Sequence, residues 1–482
     1  MPNIKEKISK ILPKNSFIRS VSVLVGGTAT AQVISILASP VLTRLYTTED
    51  FGLLAVYGSI IGIVGVIASL RYELAIPIAE TDKEAASLVY LSGIILIAVS
   101  ITTGIVFYAF SSQLLGVLKA SALKPFLWLL PLSVFFMGLY NILNYWAIRT
   151  KQFGVIARTK FTQSFSSVAV QLSAFKLGAI ALLFGQLMGQ TAGNTSLFTS
   201  TIKPHKETFK EVKKGDIVNS AKRWKKFPLF STWAVLFNTA GTQLPPLLFA
   251  TLFSPSIAGV YLLTNRVLQL PMTLIGGAIA QVFFSKSAEA HRKNELGVLV
   301  NSIHDKLAFI GMPVMLGIAI VGKQLFTFVF GSQWILAGSF AQWMSIWLYV
   351  VFVTSPITQV ASIVEKQEKG LIFNIAQFVG RIVALIIGAY FDSVILAIIL
   401  YSLVNALQAF AMLIWINVII NNPIKNIFIS NFKALLFAVF TCLPLFLYMI
   451  FFQEKVILLL LSILITALLY IVTLFLRFKE IL

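Results

Sequence analysis

The chain has 482 residues, 58% of them hydrophobic and only 12% charged, with a formal net charge of +20. A mean hydropathy of +0.88 excludes a soluble domain, because the apolar segments exceed what a globular core buries. The basic balance does not point to nucleic acid, since the Lys and Arg residues gather between apolar segments rather than on aromatic-interleaved faces, which is the pattern of membrane topology.

At the N-terminus, Lys5, Lys7, Lys10, Lys14 and Arg19 precede the first apolar run. The charge resembles that of a signal sequence, but the run is full length and lacks a small-x-small exit, so it reads as a retained first helix. A spanning helix needs about 20 mainly apolar residues, and the chain offers fourteen candidates. The first six run approximately over 17–43, 51–79, 85–110, 125–148, 155–175 and 177–200. After a polar segment come 229–253, 257–285, 307–330, 334–364, 371–390 and 393–420, and then a closing pair, 431–452 and 456–476. Twelve helices is the alternative count, because only Gln453, Glu454 and Lys455 separate the closing pair.

The polar segment marks a domain boundary and carries Lys203, Lys206, Lys210, Lys213, Lys214, Lys222, Arg223, Lys225 and Lys226. It predicts a six-helix lobe over 1–200, a basic linker over 201–228, a second six-helix lobe over 229–420 and an extra helix pair over 421–482. Within the linker Ile217, Ala221 and Trp224 recur at helical spacing against a basic face, so this part either lies along anionic lipid or is solvated. A short internal repeat accompanies the lobes. Ala31-Gln32 precedes Phe51-Gly52 through Tyr57 in the first lobe, and Thr242-Gln243 precedes Ala258-Gly259-Val260-Tyr261 in the second.

Charge tests the helix count, because a missed helix would invert the bias of every later loop. With both termini in the cytoplasm, the inner loops hold 29 of the 38 Lys and Arg residues, and the outer side holds Arg44, Lys119, Lys124, Lys176, Lys323 and Lys455. Three arginines remain inside apolar segments: Arg71, Arg266 and Arg381. Burying a guanidinium there costs at least ~2.5–3.5 kcal/mol on insertion scales, so such a residue faces a watery cavity, an anionic partner or a substrate. Arg381 is ~18 Å beyond Lys369 along a helix and Arg266 ~14 Å into its own, whereas Arg71 can extend its stem towards the interface.

Polar residues fall on defined faces. Thr28, Gln32, Ser35, Ser39 and Thr43 share one side of the first helix, Asn374, Gln377 and Arg381 one side of the eleventh, and Arg266, Gln269, Thr273 and Gln281 one side of the eighth. Ser and Thr at this spacing are mainly expected to pack helices together. Faces bearing arginine point instead to a cavity. Glu73 is an acid within a predicted helix, two residues from Arg71, and residues two apart on a helix point to different sides. Each therefore calls for a partner elsewhere, and Glu73 is a candidate for a coupling proton or sodium ion or for a salt bridge across helices.

Other chemistry is not expected. Cys442 is the single cysteine, His205, His291 and His304 fall in predicted loops, and neither a Walker lysine motif nor a nucleophile elbow is present. The sequence predicts no organic cofactor, no metal site and no enzyme.

Several motifs carry a resemblance: Ser39-Pro40-Val41-Leu42-Thr43-Arg44-Leu45-Tyr46, Glu49-Asp50-Phe51-Gly52, Arg71-Tyr72-Glu73, Phe184-Gly185-Gln186 and Lys226-Phe227-Pro228. In these the chain resembles the polysaccharide-biosynthesis (Wzx-type) flippases of the MOP exporter superfamily. The resemblance implies two six-helix bundles around a central cavity, alternating access, and location in a bacterial cytoplasmic membrane. It also implies translocation of undecaprenyl-pyrophosphate-linked oligosaccharide, such as an O-antigen, capsule or exopolysaccharide unit, to the periplasmic leaflet, with other assembly proteins as partners. Two additional C-terminal helices, as in the lipid II flippase branch, suit a groove for the lipid tail. Arg266, Arg381 and Arg71 are then the candidate ligands of the diphosphate, and the Gln, Asn and Thr faces border the sugar. Rival readings are a multidrug exporter of the same superfamily and a membrane glycan polymerase or ligase.

Overall fold

A computed structural model describes residues 16–270, 272, 283, 286–287, 289–364, 366–452 and 455–478. Every regular element among them is helical. Nine of the described helices are long and apolar enough to cross a membrane, with mean hydropathy from 1.2 to 2.8 over their best windows. The protein is therefore a multi-pass, all-α membrane protein. Contacts divide it into two compact units, 1–259 and 260–482.

The first unit contains α1 (Ser16–Leu45), α2 (Thr48–Ile67), α3 (Asp82–Ala109), α4 (Leu129–Arg149), α5 (Phe153–Ser173), α6 (Ala179–Leu197), α7 (Lys214–Arg223) and α8 (Thr232–Leu252). Local chemistry starts these helices. Thr47 caps α2 by accepting from the Asp50 amide at 3.1 Å, while the Asp50 carboxylate accepts from the Thr47 amide at 2.9 Å. Glu49 and Asp50 also place negative charge at the positive end of the α2 dipole. Small residues let neighbouring helices close up. A Cβ on Gly27 would lie 2.6 Å from Cα of Ala157, and the hydroxyls of Ser35 and Ser164 meet at 3.0 Å across α1 and α5. This pairing is how small polar residues hold apolar helices together.

The predicted helix over 51–79 ends at Ile67. Leu70 (φ 50°) and Arg71 (φ 63°) adopt left-handed conformations, and a 3₁₀ helix, Tyr72–Ile78, follows. Non-glycine residues in this region cost of order 1–3 kcal/mol each and persist only where packing holds them. Here Ala68, Tyr72, Ala75 and Ile76 pack into a buried cluster with Leu88, Leu96, Val134, Ile142 and Trp146.

The basic segment is folded onto its own unit. Short helices Lys206–Lys210 and α7 lie against the start of α3. The Ser220 and Ser87 hydroxyls meet at 2.5 Å, Tyr72 donates its hydroxyl proton to the Ala221 carbonyl at 3.1 Å, and the Trp224 indole donates to Glu84 at 3.0 Å. Lys83 pairs with Asp216 at 3.0 Å, and Arg223 pairs with Glu84 at 3.1 Å and with Glu80. Thus Ala221 and Trp224, expected against lipid or water, contact protein.

The repeated glycines meet. A Cβ on Gly52 would lie 1.8 Å from the Pro255 carbonyl oxygen, and one on Gly259 would lie 2.1 Å from the Thr48 carbonyl oxygen. Each glycine touches the residue four positions before the other, so the contact is reciprocal.

α9 (Pro255–Leu268) enters the second unit, which also holds α10 (Leu296–Phe330), α11 (Ile335–Thr354), α12 (Gln367–Tyr390), α13 (Val394–Ile419), α14 (Ile424–Thr441), α15 (Leu443–Phe451) and α16 (Val456–Phe478). With 35 residues, α10 is ~52 Å long at 1.5 Å per residue and starts well before the predicted 307. The predicted helix over 334–364 stops at Thr354 and continues as short turns over 357–363. The C-terminal helices attach to α10. Tyr470 donates to the Ile310 carbonyl at 3.1 Å, Cys442 Sγ donates to the Pro313 carbonyl at 3.4 Å, and Arg477 pairs with Asp305 at 3.3 Å. His304, placed in a loop by the sequence, is instead buried on α10 with Nε2 2.9 Å from the Asn431 amide nitrogen.

Candidate functional site

Arg381 lies midway along the apolar stretch Ile372–Tyr390, ~14 Å from either end at 1.5 Å per residue. Its Nε donates to Asn405 Oδ1 at 2.6 Å. The same oxygen accepts from Gln377 Nε2 at 3.0 Å, so one buried amide on α13 joins two members of the predicted polar face of α12. Asn405 is held in turn, because its Nδ2 donates to the Tyr401 carbonyl one turn earlier at 2.7 Å. The Tyr401 ring lies 5.8 Å beneath the Arg381 guanidinium. Tyr401 is fixed by Trp347, edge-on at 5.7 Å between centroids, and by the Tyr261 hydroxyl at 3.1 Å. Asn374, the third polar residue on the α12 face, is exposed.

Arg266 is on α9, five residues after Tyr261. Its side chain is exposed and has no carboxylate or hydrogen-bond partner among the described residues. Gln269 is exposed and donates to Asn265 at 2.8 Å. Thr273 and Gln281, which extend the predicted face, lie outside the described residues.

Arg71 and Glu73 are in the first unit. They pair with each other at 3.4 Å between Nη1 and Oε1. This corrects the expectation that they point to different sides: the helix has ended, and the left-handed Arg71 turns its side chain back towards the first turn of the 3₁₀ helix. Glu73 is 1% exposed and also accepts the Ser69 hydroxyl at 2.6 Å. On α1, Thr28 and Gln32 are half-buried, while Ser35 is committed to Ser164 and to the Ala31 carbonyl.

The structure therefore joins Gln377 to Arg381 and Arg71 to Glu73, and turns Ser35 to helix packing. Sequence reasoning missed Asn405, Tyr401, Tyr261 and Trp347. Asn405 carried a readable signal, being an amide near the middle of the apolar α13, four residues after Tyr401, whereas its contact with α12 is tertiary.

Such an arrangement suits anion recognition. A guanidinium fixed through Nε presents a planar, charge-assisted fork to an oxyanion, and low dielectric strengthens that interaction. The described residues include no cluster of His, Cys, Asp and Glu suited to a metal ion.

Several solved structures share this fold. The lipid II flippase MurJ in an inward closed conformation aligns with TM-score 0.75 at 14% identity, covering 95% of this chain and 99% of its own. An inward-facing MATE multidrug transporter of the MOP superfamily aligns with TM-score 0.59 at 15% identity, covering 81% of this chain and 94% of its own. A Vibrio cholerae MATE transporter aligns with TM-score 0.52 at 14% identity, covering 85% and 97%. At these identities the likeness establishes the fold. No curated protein matches the chain by sequence. The family of polysaccharide biosynthesis proteins does match, over residues 41–338. That span is well over half of the chain, and the protein belongs to this family.

Proposed function

We propose that the protein is a flippase for undecaprenyl-pyrophosphate-linked oligosaccharide, carrying it from the cytoplasmic to the periplasmic leaflet of a bacterial inner membrane by ion-coupled alternating access between two lobes. Both termini are cytoplasmic in this reading, because that orientation satisfies the positive-inside bias. Family membership supports a role in polysaccharide assembly, and the MOP-type fold supports transport. The observation that carries the substrate class is Arg266, an exposed guanidinium within an apolar helix with no carboxylate partner among the described residues. A cation left in that state suits an anionic substrate, and a diphosphate supplies two charged groups. Arg381 and Arg71 add charge, while Gln32, Thr28, Gln269, Asn374 and Gln377 provide hydrogen bonds to sugar hydroxyls.

Arg266→Ala and Arg381→Ala should each abolish translocation while leaving folded protein in the membrane. The check is complementation of a flippase-deficient strain, with lipid-linked oligosaccharide accumulating on the cytoplasmic face when it fails. Full complementation by both variants would sink the proposal.

A further inference from the structure

One face of α7 packs on the end of a spanning helix. Ser220 meets Ser87, Trp224 donates to Glu84, and Asp216 pairs with Lys83. All three partners lie in the first two turns of α3, which is long and apolar enough to cross a membrane. A helix docked there sits at the level where lipid headgroups meet water. The chain that follows marks the same level. Lys225 and Lys226 are exposed, and directly after them Leu229, Phe230 and Trp233 are 57%, 69% and 57% exposed. Lysines followed by uncovered aliphatic and aromatic side chains are the pattern of a chain entering lipid from the headgroup side.

The other face of α7 is uncovered. Lys214, Val218 and Lys222 stand at i, i+4 and i+8, and all three are exposed. Neither these two lysines nor Lys225 and Lys226 have an ion-pair partner among the described residues. The nearby acids are largely spent, since Glu207 pairs with Lys210, Asp216 with Lys83, and Glu80 and Glu84 with Arg223. Glu211 is exposed, and the lysines of the segment outnumber it severalfold. The ion pairs of Arg223 and Asp216 also fix α7 in place, so its lysines are presented from a set position. An interfacial helix uses this arrangement: the apolar side chain sinks towards the acyl boundary, and the flanking lysine stems carry their charge back to the phosphates.

We propose that Lys214, Val218 and Lys222, with Lys225 and Lys226, form a docking surface for the headgroups of anionic phospholipids in the leaflet at which α3 begins. Charge complementarity selects that occupant. Each lysine held within a Debye length of an anionic leaflet gains attraction, whereas a zwitterionic leaflet offers no net charge to meet it. The surface does not depend on what the protein transports, so its loss would leave the flippase reading untouched.

The test uses the full chain in phosphatidylcholine nanodiscs, with a bimane fluorophore on Val218→Cys in a Cys442→Ser background. Quenching is compared between phosphatidylglycerol and phosphatidylcholine that carry the same doxyl label high on the acyl chain, at equal mole fraction. At low salt the labelled phosphatidylglycerol should quench roughly threefold or more strongly. That preference should collapse in about 0.5 M salt. It should also vanish in Lys214→Gln/Lys222→Gln/Lys225→Gln/Lys226→Gln, which keeps Arg223 and Lys83 and therefore the docking of α7. Equal quenching by the two lipids in the unsubstituted face, or a preference that survives both salt and the four substitutions, overturns the proposal. Quenching by neither lipid places the face in water, open to a soluble acidic partner, and overturns it as well. If the fourfold variant does not fold, the salt series decides alone: a preference unmoved by salt refutes the surface.

Discussion

At the scale of single residues, the chemistry of α12 depends on an amide that belongs to another helix. Asn405 is fully buried and offers one oxygen to both Arg381 and Gln377. Replacing it by leucine removes a charge-assisted hydrogen bond worth about 1.5–3 kcal/mol, which is roughly a 10- to 150-fold effect on whatever the oriented guanidinium binds. We therefore expect Asn405→Leu to express and fold but to translocate at least tenfold more slowly, as measured by substrate accumulation in the complementation strain. Asn405→Asp should be at least as defective, because a permanent carboxylate would neutralise Arg381. Unchanged transport in both variants would mean that Arg381 acts without this support. That Arg381 shares a helix face with Gln377 was readable from spacing alone. Its anchoring was not, because hydrogen bonds between helices depend on which faces meet.

At the scale of elements, the segment from 201 to 227 keeps its basic residues exposed while another face packs on protein. Nine basic residues made it look like a solvated or lipid-bound linker, yet α7 is tied to the start of α3 by acids that are few in the sequence. The Arg223 guanidinium holds Glu80 below the usual carboxylate range, and Asp216 is lowered first by the Lys213 amide and then by Lys83. Carboxylates depressed in the folded state stabilise it above their unfolded pKa, and that contribution is lost as pH falls through the lower folded value. Docking of α7 should therefore be complete at neutral pH and weaken below about pH 4. Hydrogen exchange over 206–224 is expected to accelerate there in wild type. In Glu80→Gln/Asp216→Asn it should already be fast at pH 7, and equal exchange in the two proteins would exclude this tether. The helix break after Ile67 was hidden for a related reason: it contains no glycine, and the left-handed turn at Leu70 and Arg71 is imposed by packing around Tyr72, Ala75 and Ile76.

At the scale of the molecule, the repeat noticed in sequence became a physical contact. Gly52 and Gly259 each allow another backbone to approach to a distance that a Cβ would forbid. Gly52→Ala or Gly259→Ala should lower stability by about 1–3 kcal/mol, the cost of forced overpacking, and the double variant should lose less than the sum because both act on one contact. Thermal unfolding in detergent checks this, and wild-type stability in either single variant would show that the backbones are not so close. Composition and hydrophobic run length by themselves determined that this is an all-α membrane protein. The reason is that a bilayer requires long apolar helices whose backbone hydrogen bonds close internally. The same apolar background made three arginines conspicuous, so the charged candidates were legible. Only the tertiary structure decided that Arg71 is paired with Glu73, that Asn405 and Tyr401 orient Arg381, and that the basic segment is docked. Those outcomes depend on where helices end and which faces meet, and side-chain contacts of a few kcal/mol between segments far apart in sequence leave no periodic signal in the chain.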